Sequence, residues 1–280
     1  MMKDTMNRPL FTVSVSDRFY GDSSPITLQE EGLKTNLELA SHLGFEGIEI
    51  QVHTPSNYVW ERIAEQTREL DLKVTAFGTG LEYGVNGLSF TSRDESVRKQ
   101  AQERFLEYIT VASKFDAAVF LGLCRGTSPR FSTRKEYLDL LYRQFLPLCE
   151  HAQKLGVLLV LEPIVFYLTT LLNTTHETLE FLERPGMEQM QLLLDTHHMF
   201  IEDADYIQSF RDAAGKIGHL HISDSNRKYP GCGNVDYTAV GEVLKEIGYS
   251  NPVSLETLPY PNGPEGARIG LEWMKKTWSE

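Results

Sequence analysis

Cysteine is scarce: Cys124, Cys149 and Cys232 are an odd number, far apart, and form no CxxC pair. That argues against a disulfide framework and against a thiolate metal site. Positive charge is also short, with 27 Lys and Arg against 39 Asp and Glu and a net charge of -12. Nucleic-acid binders present a basic field, so no nucleic-acid partner is expected. No apolar run approaches the roughly 20 residues that span a bilayer. The opening, Met1-Met2-Lys3-Asp4-Thr5-Met6-Asn7-Arg8, lacks the apolar core of a secretory signal. A cytoplasmic protein without a membrane partner is the expectation. Internal repeats, low-complexity tracts and a Pro/Gly/Ser linker are missing too, so residues 1–280 read as one domain.

What the chain does have is a set of short apolar runs with polar ends. Val157-Leu158-Leu159-Val160-Leu161 ends in Glu162, Leu192-Leu193-Leu194 in Asp195, and Pro252-Val253-Ser254-Leu255 in Glu256. Gly218-His219-Leu220 delivers His221, with Arg227 six residues further on. Continuous Leu/Val/Ile runs fit strands buried on both faces, as in a parallel sheet, and parallel strands bring their ends to one rim. Two Glu, one Asp and one His form an oxygen-rich site that favours Mn²⁺, with Mg²⁺ or Co²⁺ as alternatives. A divalent cation would offset most of the charge of three carboxylates at the mouth of an apolar barrel.

In chain order, strands are expected at 10–15, 47–52, 73–77, 117–121, 157–162, 192–195, 218–221 and 252–256. Helices are expected at 27–43, 59–70, 96–114, 133–155, 175–183, 204–214, 237–247 and 264–278, with 82–94 a loop. Eight strands alternating with eight helices is the order of a (β/α)₈ TIM barrel. A doubly wound open sheet is the competing arrangement, and it gathers the last four strand ends around one centre less readily.

These residues carry a family likeness. Glu162-Pro163, Asp195-Thr196-His197-His198-Met199, His221 with Arg227, Pro230-Gly231-Cys232-Gly233 and Glu256 together resemble the sugar phosphate isomerase/epimerase family. The nearest pattern is that of the ketose 3-epimerases acting on tagatose and psicose. The ligand spacings of 33, 26 and 35 residues each suit one strand-helix unit. The resemblance implies a barrel with one divalent ion held by Glu162, Asp195, His221 and Glu256. It further implies that Glu162 and Glu256 move protons on the two faces of the substrate, that His198 and Arg227 bind substrate oxygens, and that the protein forms a dimer or tetramer.

The chemistry itself follows from elementary acidity. Taking the proton from a carbon beside a carbonyl places charge on oxygen, and a divalent ion there stabilises the enediolate. A carboxylate on each face permits removal from one side and return on the other. The expected activity is therefore epimerisation or isomerisation of a keto-sugar or derivative. Three alternatives share the scaffold: an inosose or dehydroshikimate dehydratase, an AP endonuclease and a non-catalytic subunit. One position departs from the family pattern. Leu168 stands where the ketose 3-epimerases carry a second Glu, which implies a substrate larger or less hydroxylated at that end, such as a keto-glycoside or an inosose.

Arg125 and Arg130 lie on the expected rim and read as solvated loop side chains, with phosphate or carboxylate ligands as the alternative. His197, His219 and the tryptophans Trp60, Trp273 and Trp278 read as structural. Asp224 and Asp236 read as solvated loop carboxylates.

Overall fold

The computed structural model describes residues 8–279. Met1–Asn7, most of the stretch read above for a secretory signal, lies outside the described residues. The elements run β1 (Phe11–Val15), α1 (Leu33–Leu43), β2 (Gly47–Gln51), α2 (Trp60–Glu69), β3 (Lys73–Gly78), α3 (Gly80–Gly84), α4 (Glu95–Ala112) and β4 (Ala118–Leu121). There follow α5 (Arg134–Leu155), β5 (Leu159–Leu161), α6 (Thr175–Leu182), β6 (Met190–Asp195), α7 (Thr196–Glu202) and α8 (Tyr206–Asp212). The chain closes with β7 (Ile217–Ile222), α9 (Tyr237–Glu246), β8 (Val253–Leu255) and α10 (Gly263–Ser279). All eight strands are parallel and each pairs with the next, and β8 returns to β1 to close the barrel.

The alternation of side chains along each strand creates two cores. Outward residues such as Ile48, Ile50, Phe77, Leu194 and Leu220 pack under the helices with Phe90, Phe105 and Phe145. Burying each side chain of this size contributes about 1.5–3 kcal/mol. The inward face is divided. On β3 to β6 and the residue before β5 it is apolar, with Ala76, Ala118, Phe120, Val160 and Leu193 packed together against Leu158. Around β7, β8, β1 and β2 it is polar, with His219, His221, Ser254, Thr12, Ser14, Glu49 and Gln51 all buried. The polar half of the interior therefore lies on the β7, β8, β1 and β2 side, and at β5 and β6 polar ligand groups appear only at the strand ends.

Local signals fix most element ends. Asp94, Thr174, Asp205 and Asp236 cap α4, α6, α8 and α9 by accepting backbone N–H groups. Gly44 and Gly156 end α1 and α5 in the left-handed conformation. Two expectations need correction. The first helix begins at Leu33 rather than Thr27, because Leu28 is drawn into a bridge with Val15 and is fully buried there. The section 82–94 is not all loop, since α3 opens it and Glu82 anchors it. That buried carboxylate accepts from Thr54 N at 2.6 Å, Asn86 Nδ2 at 2.7 Å and Arg104 Nη1 at 2.8 Å. Trp60 packs edge-on to Phe77, and Trp278 packs against Phe11 and Trp273, so the tryptophans keep their structural reading. Among the described residues no helix is long and apolar enough to cross a membrane.

Candidate active site at the barrel mouth

Glu162, Asp195, His221 and Glu256 converge as their strand ends predict, offering ligand atoms all within 4.8 Å of one another. His221 Nδ1 lies 3.3 Å from Glu256 Oε2, 3.5 Å from Glu162 Oε1 and 4.0 Å from Asp195 Oδ2. Asp195 ends β6 and caps α7. Its Oδ1 accepts from His197 N at 2.8 Å and from the Ser223 hydroxyl at 3.0 Å, which leaves Oδ2 for the site.

Arg227 enters from the loop after β7. Its Nη1 donates to Asp195 Oδ2 at 2.6 Å and its Nη2 to Glu256 Oε2 at 2.7 Å. Its backbone is held at φ 64, a left-handed conformation that non-glycine residues seldom adopt. The loop is moulded around Asp224. That carboxylate is fully buried and accepts from Ser225 N at 2.7 Å, Gly231 N at 2.9 Å and Val235 N at 3.2 Å. Asp224 is thus no solvated carboxylate but the hub of the loop that presents Arg227. Gly233 must be glycine here, because a Cβ would lie 2.3 Å from Asp224 Oδ1.

His198 is buried beside the cluster, and its Nε2 accepts from Arg227 Nη1 at 3.1 Å. Burial, reinforced by the Arg227 charge, pushes its pKa well below the ordinary histidine value, so the ring is neutral and can exchange hydrogen bonds with a substrate hydroxyl. His197 bonds Tyr167 Oη at 3.0 Å through Nε2 and Asp224 O at 3.2 Å through Nδ1.

Arg125 corrects the sequence reading. It binds no rim anion, being fully buried with its donors on the backbone carbonyls of Leu121, Gly122, Glu162, Leu171 and Leu172. Burial pulls its pKa down to about 10. It ties the loop after β4 to the backbone of Glu162. Arg130 is exposed, as expected of a solvated loop side chain.

Two residues went unnoticed in the sequence. Glu49 and Gln51 project inward from β2, where Ile48 and Ile50 face the helices. Glu49 Oε2 meets His221 Nε2 at 3.1 Å and His219 Nε2 at 3.2 Å. Gln51 Nε2 donates to Glu256 Oε1 at 2.7 Å and to Glu49 Oε1 at 3.2 Å. The alternation of polar and apolar residues in Gly47-Ile48-Glu49-Ile50-Gln51-Val52 was the signal available.

The donor set fits a divalent cation. Glu162 Oε1 and His221 Nδ1 are buried without a hydrogen-bond partner, an expensive state that a shared ion would relieve. Three carboxylates face one guanidinium, Arg227, which with a neutral His221 leaves about two negative charges to offset, since Glu49 and Arg125 are of opposite sign. Burial alone would lower His221, but the charges of Glu256 and Glu49 outweigh it and hold it well above the ordinary value. Without an ion the site thus favours a proton on the imidazole, a charge that a bound cation would replace. Burial likewise raises the Glu162 carboxyl.

The cluster opens into a cavity of about 570 Å³. Glu162, Glu256, His198 and Arg227 line it together with the apolar Leu123, Ile164, Leu168 and Leu258, and Ser23, Thr79 and Asn226 add polar groups.

Residues 37–277 match the family profile described as Xylose isomerase-like TIM barrel. The chain is similar to an L-ribulose 3-epimerase of Mesorhizobium japonicum, 30% identical over 229 residues covering 80% of this chain and 75% of the relative. It is also similar to a 3-dehydro-D-guloside 4-epimerase of Escherichia coli, 28% identical over 256 residues covering 88% and 95%. The solved D-allulose 3-epimerase from Methylomonas sp. in complex with D-allulose shares the fold, with a TM-score of 0.81 at 22% identity, covering 97% of this chain and 98% of that one. The barrel order, the strand-end cluster and these matches agree, and the chain belongs to the Xylose isomerase-like TIM barrel family.

Proposed function

We propose that this chain, acting as one barrel domain, is a divalent-cation-dependent epimerase that inverts a carbon beside the carbonyl of a keto-sugar derivative. The observation that carries the reading is the buried cluster of Glu162, Asp195, His221 and Glu256 with two unpartnered atoms, opening directly into the cavity. The relatives' names support the same reaction class.

Glu162, Asp195, His221 and Glu256 would hold the cation, with Mn²⁺ first and Mg²⁺ or Co²⁺ next. When bound, it supplies positive charge that stabilises the oxyanion developing on the substrate carbonyl. Glu162 and Glu256 are the proton carriers. They differ in their surroundings. Both oxygens of Glu256 are already engaged, by Gln51 and Arg227, whereas Glu162 Oε1 has no partner and burial raises its pKa. Glu256 is therefore the more firmly aimed of the two, and Glu162 Oε1 the freer to meet the cation. His198 and Arg227 orient substrate hydroxyls.

Leu168 sets the finer substrate class. It lines the cavity beside Tyr167 and carries no hydrogen-bonding group for a hydroxyl. The volume lies well inside the range of about 300–1,000 Å³ that suits drug-sized ligands, larger than a free hexose. A keto-glycoside, with its sugar at the cluster and its second half against the leucines, fits best. The three free cysteines support a reducing, cytoplasmic setting. A homo-oligomer completes the proposal.

The test is incubation of purified protein with Mn²⁺ and keto-glycosides or free ketoses in D₂O, followed by NMR. Epimerisation exchanges one carbon-bound proton without loss of mass, and Glu162→Gln or Glu256→Gln abolishes exchange while keeping the fold. Loss of water instead of inversion would replace the epimerase with a dehydratase. Wild-type exchange in either folded variant would remove that glutamate from the scheme.

A further inference from the structure

Directly below the cluster lies a second group of buried polar side chains, Glu49, Gln51 and His219, that the proton-transfer scheme does not use. We propose that Glu49 is the positioning residue that presents His221 Nδ1 to the cation and, through Gln51, aims Glu256. The inference rests on the reading of Glu162, Asp195, His221 and Glu256 as the ligand set.

A neutral imidazole carries one N–H, and its place is decided by which nitrogen faces an acceptor. His221 Nε2 faces Glu49 Oε2 at 3.1 Å, so the proton belongs on Nε2. The lone pair is then on Nδ1, the atom that faces Glu162, Asp195 and Glu256 and has no hydrogen-bond partner of its own. A carboxylate behind a ligating imidazole fixes its orientation and makes it a stronger ligand. His219 Nε2 and Gln51 Nε2 complete three donors around Glu49, which is what keeps a fully buried carboxylate affordable in the barrel. Gln51 spans from Glu49 to Glu256, so one carboxylate on β2 orients groups on β7 and after β8.

The arrangement demands an acceptor at both oxygens of residue 49. A glutamine there keeps the volume but has one oxygen and one NH₂, so an N–H must face either Gln51 or the two imidazoles. If it faces His221, the ring moves its proton to Nδ1 and turns an N–H toward the cation site. If it faces Gln51, the amide that holds Glu256 swings away. Either way the ligand set is disturbed while every ligand is still present.

The experiment is a Mn²⁺ titration read by the EPR signal of the free ion, on the full chain, for wild type, Glu49→Gln and Glu49→Asp, each also in a His221→Ala background. Melting without metal confirms that each variant folds. Expected is a dissociation constant for Mn²⁺ about 10–100-fold weaker in both single variants. In the His221→Ala background the part of that factor carried by His221 disappears, and only the smaller part carried through Gln51 and Glu256 is left. A folded Glu49 variant that binds Mn²⁺ as tightly as wild type overturns the assignment. So does the same factor in both backgrounds, which is what a general loss of structure gives, and so does failure of both variants to fold. If wild type itself binds no Mn²⁺, the ligand-set reading fails first and takes the inference with it.

Discussion

Replacing Arg227 with glutamine separates the charge of the site from its shape. The guanidinium is 14% exposed and bridges Asp195 and Glu256, whose side chains are 0% and 9% exposed, at 2.6 and 2.7 Å. Glutamine is uncharged and too short to meet both carboxylates. The strained φ of 64 is common to both residues and cancels in the comparison. Removing one partner of a buried ion pair costs about 3–5 kcal/mol. With an unfolding entropy of about 2.1 cal/mol/K per residue, each kcal/mol moves the midpoint of a chain this size by about 1.7 °C. The metal-free melting temperature should therefore fall by about 5–9 °C. Mn²⁺ should recover much of that fall, because a cation in the cluster attracts the same two carboxylates and binds the folded state alone. Calorimetry in EDTA and again in saturating Mn²⁺ measures both numbers. A fall below about 2 °C without metal, or an equal fall in both buffers, would refute the charge argument.

Three further outcomes follow from other parts of the structure. Leu168→Glu restores a hydroxyl acceptor to the cavity wall and should raise kcat/KM for a free ketose relative to a keto-glycoside by about 10–100-fold; an unchanged ratio would show that this wall does not select the substrate. Gly78→Ala puts a Cβ 2.7 Å from Gln51 Cδ, so the amide must leave Glu256. A loss of about 1–3 kcal/mol in stability is expected together with reduced turnover, and full activity would sever Gln51 from the site. Asp17 gives a pH signature. Burial acts to raise its pKa, but hydrogen bonds from Arg18, Tyr20 and Tyr58 together outweigh it and hold the carboxyl below the ordinary range. A depressed folded value means stability that is present above the unfolded value near 3.9 and is lost as pH falls through the folded one. The melting gap between wild type and Asp17→Asn should thus be full at neutral pH and close in acid, and a gap independent of pH would falsify the assignment.

The sequence disclosed the barrel and its four strand-end groups because each group terminates a run of apolar residues, and parallel strands bring their ends together. Arg227 was legible from its place after His221 and before a glycine-rich turn. Glu49 is the third of five residues in β2 rather than the last, so no strand end announces it on the barrel floor. Arg125 was misread for a different reason. Its partners are backbone carbonyls from three separate segments, and nothing in the residue types of Leu121, Glu162 or Leu171 announces a carbonyl cage. Asp224 is equally hard to read from the sequence, since the donors to its carboxylate are backbone N–H groups of its own loop. The early start expected for α1 reflects apolar spacing that Leu28 satisfies by pairing with β1 instead.

The most direct measurement is a crystal structure of the Mn²⁺-loaded protein with the ion located by its anomalous scattering. A single manganese peak bonded to Glu162, Asp195, His221 Nδ1 and Glu256 is the result expected. A peak elsewhere, or one bonded to His221 through Nε2 with those carboxylates uninvolved, would contradict it.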